Sequence, residues 1–142
     1  MSRHETVSEL RVRYSETDQM GVVYHTHYLV WCEVGRTDFI RELGMPYADL
    51  EADGLLLAVA QATIRYRAAA RYDDFIRIRT RLERVQSRAV TFGYELTRAG
   101  PEGPVRVATA ETKLIALDRS GAPRTLPEWL IERFREVGPV HA

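Results

Sequence analysis

A carboxylate, a glycine and a histidine crowd one short stretch of this chain, Ser15-Glu16-Thr17-Asp18-Gln19-Met20-Gly21-Val22-Val23-Tyr24, followed at once by His25. The stretch runs straight into a long apolar segment with helical spacing, so it delivers the chain to a helix N-terminus. Free backbone N–H groups and the positive end of the helix dipole gather at such a place. It can bind a developing oxyanion. A carboxylate a few residues upstream, on a turn that Gly21 makes sterically possible, could then face a carbonyl polarised by those donors. That equipment suits acyl transfer. The alternative makes Asp18 or Thr17 a turn residue only.

The elements around this loop have to hold it. Residues 9–14 alternate, with Leu10, Val12 and Tyr14 opposite Glu9, Arg11 and Arg13, and predict a half-buried strand. From 25 to 43 no Pro or Asn interrupts the chain. Tyr28, Trp31, Cys32, Gly35, Phe39 and Leu43 recur at steps of three and four, the mark of a helix face. Leu29, Val30, Val34 and Ile40 lie off that stripe, which predicts a helix largely enclosed by other elements. Gly44 and Pro46 stop it.

After a connection over 47–54, four long segments keep a period of two. The first sets Ala60, Ala62, Ile64 and Tyr66 against Gln61, Thr63, Arg65 and Arg67, and the others cover 75–85, 88–98 and 105–117. Their links are short: Tyr72-Asp73-Asp74, a tight turn near Gln86, and 99–104. Short links imply antiparallel neighbours. Thr125-Leu126-Pro127-Glu128 has capping-box spacing and opens a last helix with Leu130, Ile131, Phe134 and Val137 on its apolar side. One strand, a buried helix and four antiparallel strands make an α+β plan in which the sheet wraps the helix. A sheet edge and a broad face are left over, so self-association is expected.

Composition sets the outer limits. The 142 residues, 45% hydrophobic, predict one domain over 1–142. Twenty basic residues balance twenty acidic ones, so no overall field favours nucleic acid or an anionic membrane. Lys113 is the only lysine among the basic residues. Nothing approaches the roughly 18 apolar residues of a membrane span, and residues 1–5 hold no apolar leader core, which predicts a cytoplasmic location. The single Cys32 permits no internal disulfide and no cysteine-based zinc site. It belongs to the apolar stripe and reads as a small hydrophobe rather than a nucleophile.

Tyr14-Ser15-Glu16-Thr17-Asp18-Gln19-Met20-Gly21-Val22-Val23-Tyr24-His25-Thr26-His27-Tyr28 closely resembles the signature of the 4-hydroxybenzoyl-CoA thioesterase-like hotdog family, including its members associated with the Tol-Pal system. Glu33-Val34-Gly35-Arg36 is similar to that family's acidic-to-Arg stretch, and 66–74 to its strand-turn segment. The resemblance implies a hotdog fold, a five-stranded antiparallel sheet around a long helix. It implies dimers or tetramers with sites at the dimer interface, an acyl-CoA substrate, and no metal or organic cofactor. It implies that Asp18 attacks the thioester or activates water, while backbone N–H near Tyr24 and His25 polarises the carbonyl. His25 would hydrogen-bond that carbonyl or hold Asp18, unless it only caps the helix. The hydroxyl of Tyr14 would orient the carboxylate, although packing alone also explains it.

Glu33 matches a position that contacts a polar acyl end in hydroxybenzoyl-specific members; its other reading is an ion pair with Arg36. CoA phosphates call for a local cation, and Arg88 matches a basic contact of the family, with Ser87 and Arg84 beside it. Arg77, Arg79 and Arg81 read as a solvated sheet face. Two enzyme alternatives keep the fold: hydrolysis of an acyl-acyl carrier protein, or dehydration of a 3-hydroxyacyl thioester with His25 and Glu33 as its pair. A third, from another class, is a non-catalytic acyl-CoA-binding protein.

Overall fold

A computed structural model describes residues 4–45 and 47–138; Pro46 lies outside them. The chain forms β1 (Glu5–Arg11), a 3₁₀ turn (Tyr14–Glu16), α1 (His27–Glu42), a short α2 (Tyr47–Ala52), β2 (Leu56–Tyr66), β3 (Phe75–Val85), β4 (Ala89–Arg98), β5 (Val105–Leu117) and α3 (Glu128–Val137). The five strands are antiparallel in the order β1-β3-β4-β5-β2 and wrap α1, which is the hotdog fold.

The predicted helix stripe is the buried one: Tyr28, Trp31, Cys32, Gly35, Phe39 and Leu43 all face the core. They meet the inner faces of β3 and β4, where Ile76, Ile78, Leu82, Phe92, Tyr94 and Leu96 are buried, and Phe39 stands edge-on to Phe92 at 5.5 Å between centroids. α3 closes the far end with Leu130 and Phe134. Arg77 and Arg79 pair with Glu9 and Glu5 across the outer face, and Arg81 pairs with Glu83, as a solvated face requires.

The first strand begins earlier than hydrophobic alternation predicts, because its buried positions are polar. Thr6 and Ser8 point inward, and their hydroxyls donate to Glu42 (2.9 Å) and Asp38 (2.7 Å) on α1. The strand ends at Arg11, so Tyr14 belongs to the following 3₁₀ turn. The 47–54 connection contains α2. β2 starts at Leu56, and a bulge between Val59 and Gln61 resets its alternation. The capping box at 125–128 does not form, since the residue at the cap is Pro127 and no side chain among the described residues caps α3.

α1 is not enclosed on every side. Val30 and Val34 are 48% and 38% exposed. The asymmetry starts at Gly35, where the helix lies so close to β3 that a Cβ would overlap Thr80 Oγ1 and press on Ile78 Cγ2. A side chain there would push the helix off the sheet. Gly35→Ala should therefore lower stability by about 1 to 3 kcal/mol in thermal or urea unfolding; an unchanged midpoint would mean that α1 can back away from β3 freely.

Candidate active site

The loop that follows the 3₁₀ turn folds back on itself. Asp18 N–H donates to Val22 O (2.9 Å), Gly21 N–H returns to Asp18 O (3.0 Å), and Thr17 bridges Val23. Gly21 has φ 78°, the left-handed conformation that a glycine adopts without strain. Asp18 Oδ1 accepts the Met20 N–H at 2.8 Å, as in an Asx turn. Its other oxygen has no partner among the described residues, so the turn pins one oxygen of Asp18 and presents the second.

Two anchors hold this loop to the rest of the molecule. Val23 N–H donates to Ala70 O (2.8 Å) in the segment before β3. The other anchor is Glu16, which the sequence reading left without a role. Its side chain is only 3% exposed, yet Oε1 accepts the Arg13 N–H at 2.7 Å and Oε2 accepts Trp31 Nε1–H at 2.9 Å. Burial alone would raise its pKa, but these hydrogen bonds and the Arg13 guanidinium outweigh it and hold the carboxyl below its ordinary 4.5. An acidic residue two positions before Asp18 was the one available signal, and nothing local distinguishes it from a solvated turn residue.

The start of α1 stands beside the loop. Tyr24 N–H is engaged, donating to Glu16 O at 2.9 Å, so it is not the free donor expected from the sequence. The N–H groups of His25 and Thr26 have no acceptor among the described residues. His25 precedes the helix and is exposed, with its ring 4.6 Å from that of Tyr24 and 6.3 Å from that of Tyr66. Tyr66 OH donates to His25 O (3.0 Å), tying the end of β2 to the helix start, a contact that a residue 41 positions away gave no reason to expect. Tyr14 is 78% exposed and packs edge-on against Tyr72 at 5.8 Å, not against Asp18.

The remaining predicted residues lie apart. Glu33 is on α1, its carboxylate 3.8 Å from Arg36 NH2, which is the ion-pair geometry; it shares no hydrogen bond with His25. Cys32 is fully buried, and burial pushes its thiol up to about 12, so it stays protonated and inert. Ser87 and Arg88 are in the β3–β4 turn, exposed, with Arg84 just before them and Lys113 sharing a shallow hollow of about 360 Å³. That turn is at the opposite end of the sheet from Asp18. The loop follows β1 where Arg11 pairs with Phe75, at the start of β3. The eleven residues of β3 span roughly 33 Å at about 3.3 Å each, so one subunit does not bring Arg88 and Asp18 together.

Among the described residues no three His, Cys, Asp or Glu side chains converge as metal ligands would, and no helix is long and apolar enough to cross a membrane.

Residues 12–134 match the model of the thioesterase-like superfamily. The chain belongs to that family. It is 35% identical over 130 residues to a protein of Bacillus subtilis named a putative acyl-CoA thioesterase, YneP, covering 89% of this chain and 93% of that one. It is 30% identical over 128 residues to the acyl-CoA thioester hydrolase YbgC of Escherichia coli, with the same coverages. Among solved structures it resembles the hypothetical protein TT1821 of Thermus thermophilus, at a TM-score of 0.88 and 34% identity over 96% of this chain and 99% of that one. It also resembles a DHNA-CoA thioesterase of Staphylococcus aureus, at 0.86 and 30% over 94% and 90%. This thioesterase is thus a thioester hydrolase by family, 4-hydroxybenzoyl-CoA thioesterase-like and YbgC-like as its 14–28 motif predicts.

Proposed function

We propose that this thioesterase hydrolyses an acyl-CoA thioester to the free acid and CoA, in the cytoplasm, with Asp18 as nucleophile or base. The observation that carries the reading is the unengaged oxygen of Asp18 in the loop that leads into the unengaged N–H groups of His25 and Thr26 at the start of α1. A thioester carbonyl seated on those donors gains charge on its oxygen as the tetrahedral intermediate forms, and the donors stabilise that charge. Asp18 supplies the attacking oxygen or takes the proton of an attacking water. CoA leaves as the thiolate, whose low basicity needs little acid assistance; where Asp18 itself attacks, water then hydrolyses the acyl–Asp18 anhydride, which releases the acid and restores the carboxylate. Tyr24 carries the helix start rather than donating to substrate, and His25 contributes its backbone N–H and a ring at the mouth of the site. A panel of acyl-CoA thioesters, followed by release of free thiol, tests the reading; no release from any member at micromolar enzyme would overturn it.

The CoA phosphates go to the partner subunit in this scheme. β2 is an edge strand whose outer side faces solvent, so two copies joined antiparallel through β2 cover that edge. Antiparallel pairing sets the β3–β4 turn of one copy at the catalytic end of the other. Ser87, Arg88 and Lys113 then form a cationic rim for the 3′-phosphate or pyrophosphate. Arg88→Ala should weaken use of full CoA thioesters by roughly 1.5 to 3 kcal/mol and leave a truncated pantetheine thioester nearly untouched. Co-expressed with Asp18→Asn subunits, Arg88→Ala subunits should regain CoA preference, because mixed dimers hold one native site. No gain on mixing would place Arg88 outside the site.

A further inference from the structure

The two backbone donors at the start of α1 belong to peptide groups whose carbonyls are both tied down, and the two ties differ in origin. The His25 N–H belongs to the Tyr24–His25 peptide, whose carbonyl, Tyr24 O, accepts the His27 N–H at 3.0 Å. That tie is local, and any chain entering a helix can make it. The Thr26 N–H belongs to the His25–Thr26 peptide. Its carbonyl, His25 O, receives no helical N–H among the described residues, because Leu29 N–H donates to Thr26 O at 3.2 Å. The partner of His25 O is the Tyr66 hydroxyl at 3.0 Å, from the last residue of β2.

Peptide planarity carries the effect of that hydrogen bond across the amide. The C=O and N–H of a trans peptide point opposite ways in one rigid plane, so a donor fixed on His25 O also fixes the direction of the Thr26 N–H. The bond also draws electron density toward the oxygen and leaves the N–H a stronger donor. Burial raises the Tyr66 phenol above its ordinary 10, so the hydroxyl keeps its proton across the neutral range.

The ring that carries this hydroxyl is well located. Tyr66 pairs with Ala108 on β5, and the Arg67 N–H that follows donates to Val107 O at 2.8 Å. The ring stands edge-on to Tyr28 at 5.4 Å, and Tyr28 stands edge-on to Trp31 at 5.1 Å. Trp31 anchors Glu16, and the Tyr28 hydroxyl accepts the Ala70 N–H at 3.2 Å while Ala70 O holds the Val23 N–H. One aromatic column, Trp31–Tyr28–Tyr66, thus braces the loop that carries Asp18 at one end and the donor peptide at the other.

Resting on the thioesterase reading, we infer that Tyr66 is a positioning residue of the hydrolysis, its hydroxyl orienting and polarising the His25–Thr26 peptide so that the Thr26 N–H meets the oxygen of the tetrahedral intermediate. Tyr66 touches no reacting atom. It is 45% exposed, where water competes for both partners, so the bond adds little to folding stability. Its worth lies in the transition state, where the charge on the substrate oxygen is greatest.

Tyr66→Phe keeps the ring against Tyr28 and removes only the hydroxyl. On the member of the acyl-CoA panel that wild-type enzyme hydrolyses fastest, kcat should fall about tenfold, part of the roughly 10² to 10³ that loss of a whole oxyanion donor costs, with KM little changed. Tyr66→4-aminophenylalanine restores an N–H donor and should recover most of that loss. Asp18→Asn enzyme, in which the bound thioester survives, reads donor strength directly. With the same substrate isotope-labelled at its carbonyl carbon, adding Tyr66→Phe should move the carbonyl stretch to higher frequency. Unchanged kcat in Tyr66→Phe, a fall that 4-aminophenylalanine does not recover, or a carbonyl stretch that stays in place overturns the inference and leaves Tyr66 a plain tether while hydrolysis stands. If wild-type enzyme releases thiol from no member of the panel, the thioesterase reading itself has failed, and this role with it.

Discussion

Asp18→Asn should cut turnover of the best acyl-CoA substrate by at least about 10²-fold, the usual worth of a general base, and by more where Asp18 is the nucleophile. Asparagine keeps the size of the side chain and can still accept the Met20 N–H through its carbonyl oxygen, so the turn at Gly21 survives. What it lacks is the negative charge on the second oxygen. The donors at the helix start are unchanged, so the loss belongs in kcat rather than KM. Glu33→Gln and Cys32→Ser serve as controls and should cost far less. Near-normal turnover in Asp18→Asn with collapse in Glu33→Gln would move the catalytic role onto the helix. A single turnover in labelled water, with enzyme in excess, identifies direct attack when the first molecule of acid carries a protein oxygen and Asp18 gains a solvent oxygen, the result of water opening the acyl–Asp18 anhydride at the aspartyl carbonyl; activated water puts solvent oxygen in the acid and leaves Asp18 unlabelled.

The second large effect is expected from Glu16→Gln, at a residue that touches no substrate. Glutamine keeps the volume but replaces one acceptor oxygen by an NH₂ group, which must face either the Arg13 N–H or the Trp31 Nε1–H. A buried donor left without an acceptor costs about 1 to 3 kcal/mol. The loop then shifts relative to Trp31 and to the Tyr24 N–H bonded to Glu16 O, and misplacement of Asp18 by about 1 Å is enough for a roughly 10²-fold fall in kcat. Stability carries a pH signature as well. The Glu16 carboxyl titrates lower in the folded chain than its ordinary 4.5, so its contribution is complete above that pH and fades as pH falls through the folded value. Unfolding midpoints of wild-type and Glu16→Gln protein should converge on acidification below pH 4.5. A constant gap down to the acid limit would show that the carboxylate is not what anchors the loop.

Much of this was legible beforehand where side-chain type follows burial. The α1 stripe and the period-two runs of β3, β4 and β5 name their buried faces directly, because those faces are apolar. β1 escaped because Thr6 and Ser8 satisfy their hydroxyls on Asp38 and Glu42, so polar residues occupy core positions. The bulge at Val59/Gln61 hid half of β2 for a different reason: an added residue inverts the alternation without altering composition. At the site, the Asp18–Gly21 turn and the helix start were readable from spacing, while Glu16 and Tyr66 were not. Their roles come from partners 15 and 41 residues away. Tyr14 drew attention by its place next to the motif, yet it faces solvent beside Tyr72. Arg88 shows the limit of a linear match, since its distance from Asp18 within one subunit emerges only from strand order.

The close seat of Gly35 on Thr80 fixes α1 against β3 and leaves its other flank bordered by a strand with little to lose. Val59, Ala60 and Ala62 on that strand are small and exposed in one subunit, so in the β2-paired dimer their outer neighbours come from the partner. The hydrolytic loop, by contrast, is anchored on the rigid flank through Trp31 and Ala70. The hydrolytic loop and the β2 edge thus rest on mechanically separate supports. Descendants of this scaffold, natural or designed, can drift in how their subunits meet along β2 while the geometry of the loop is inherited intact.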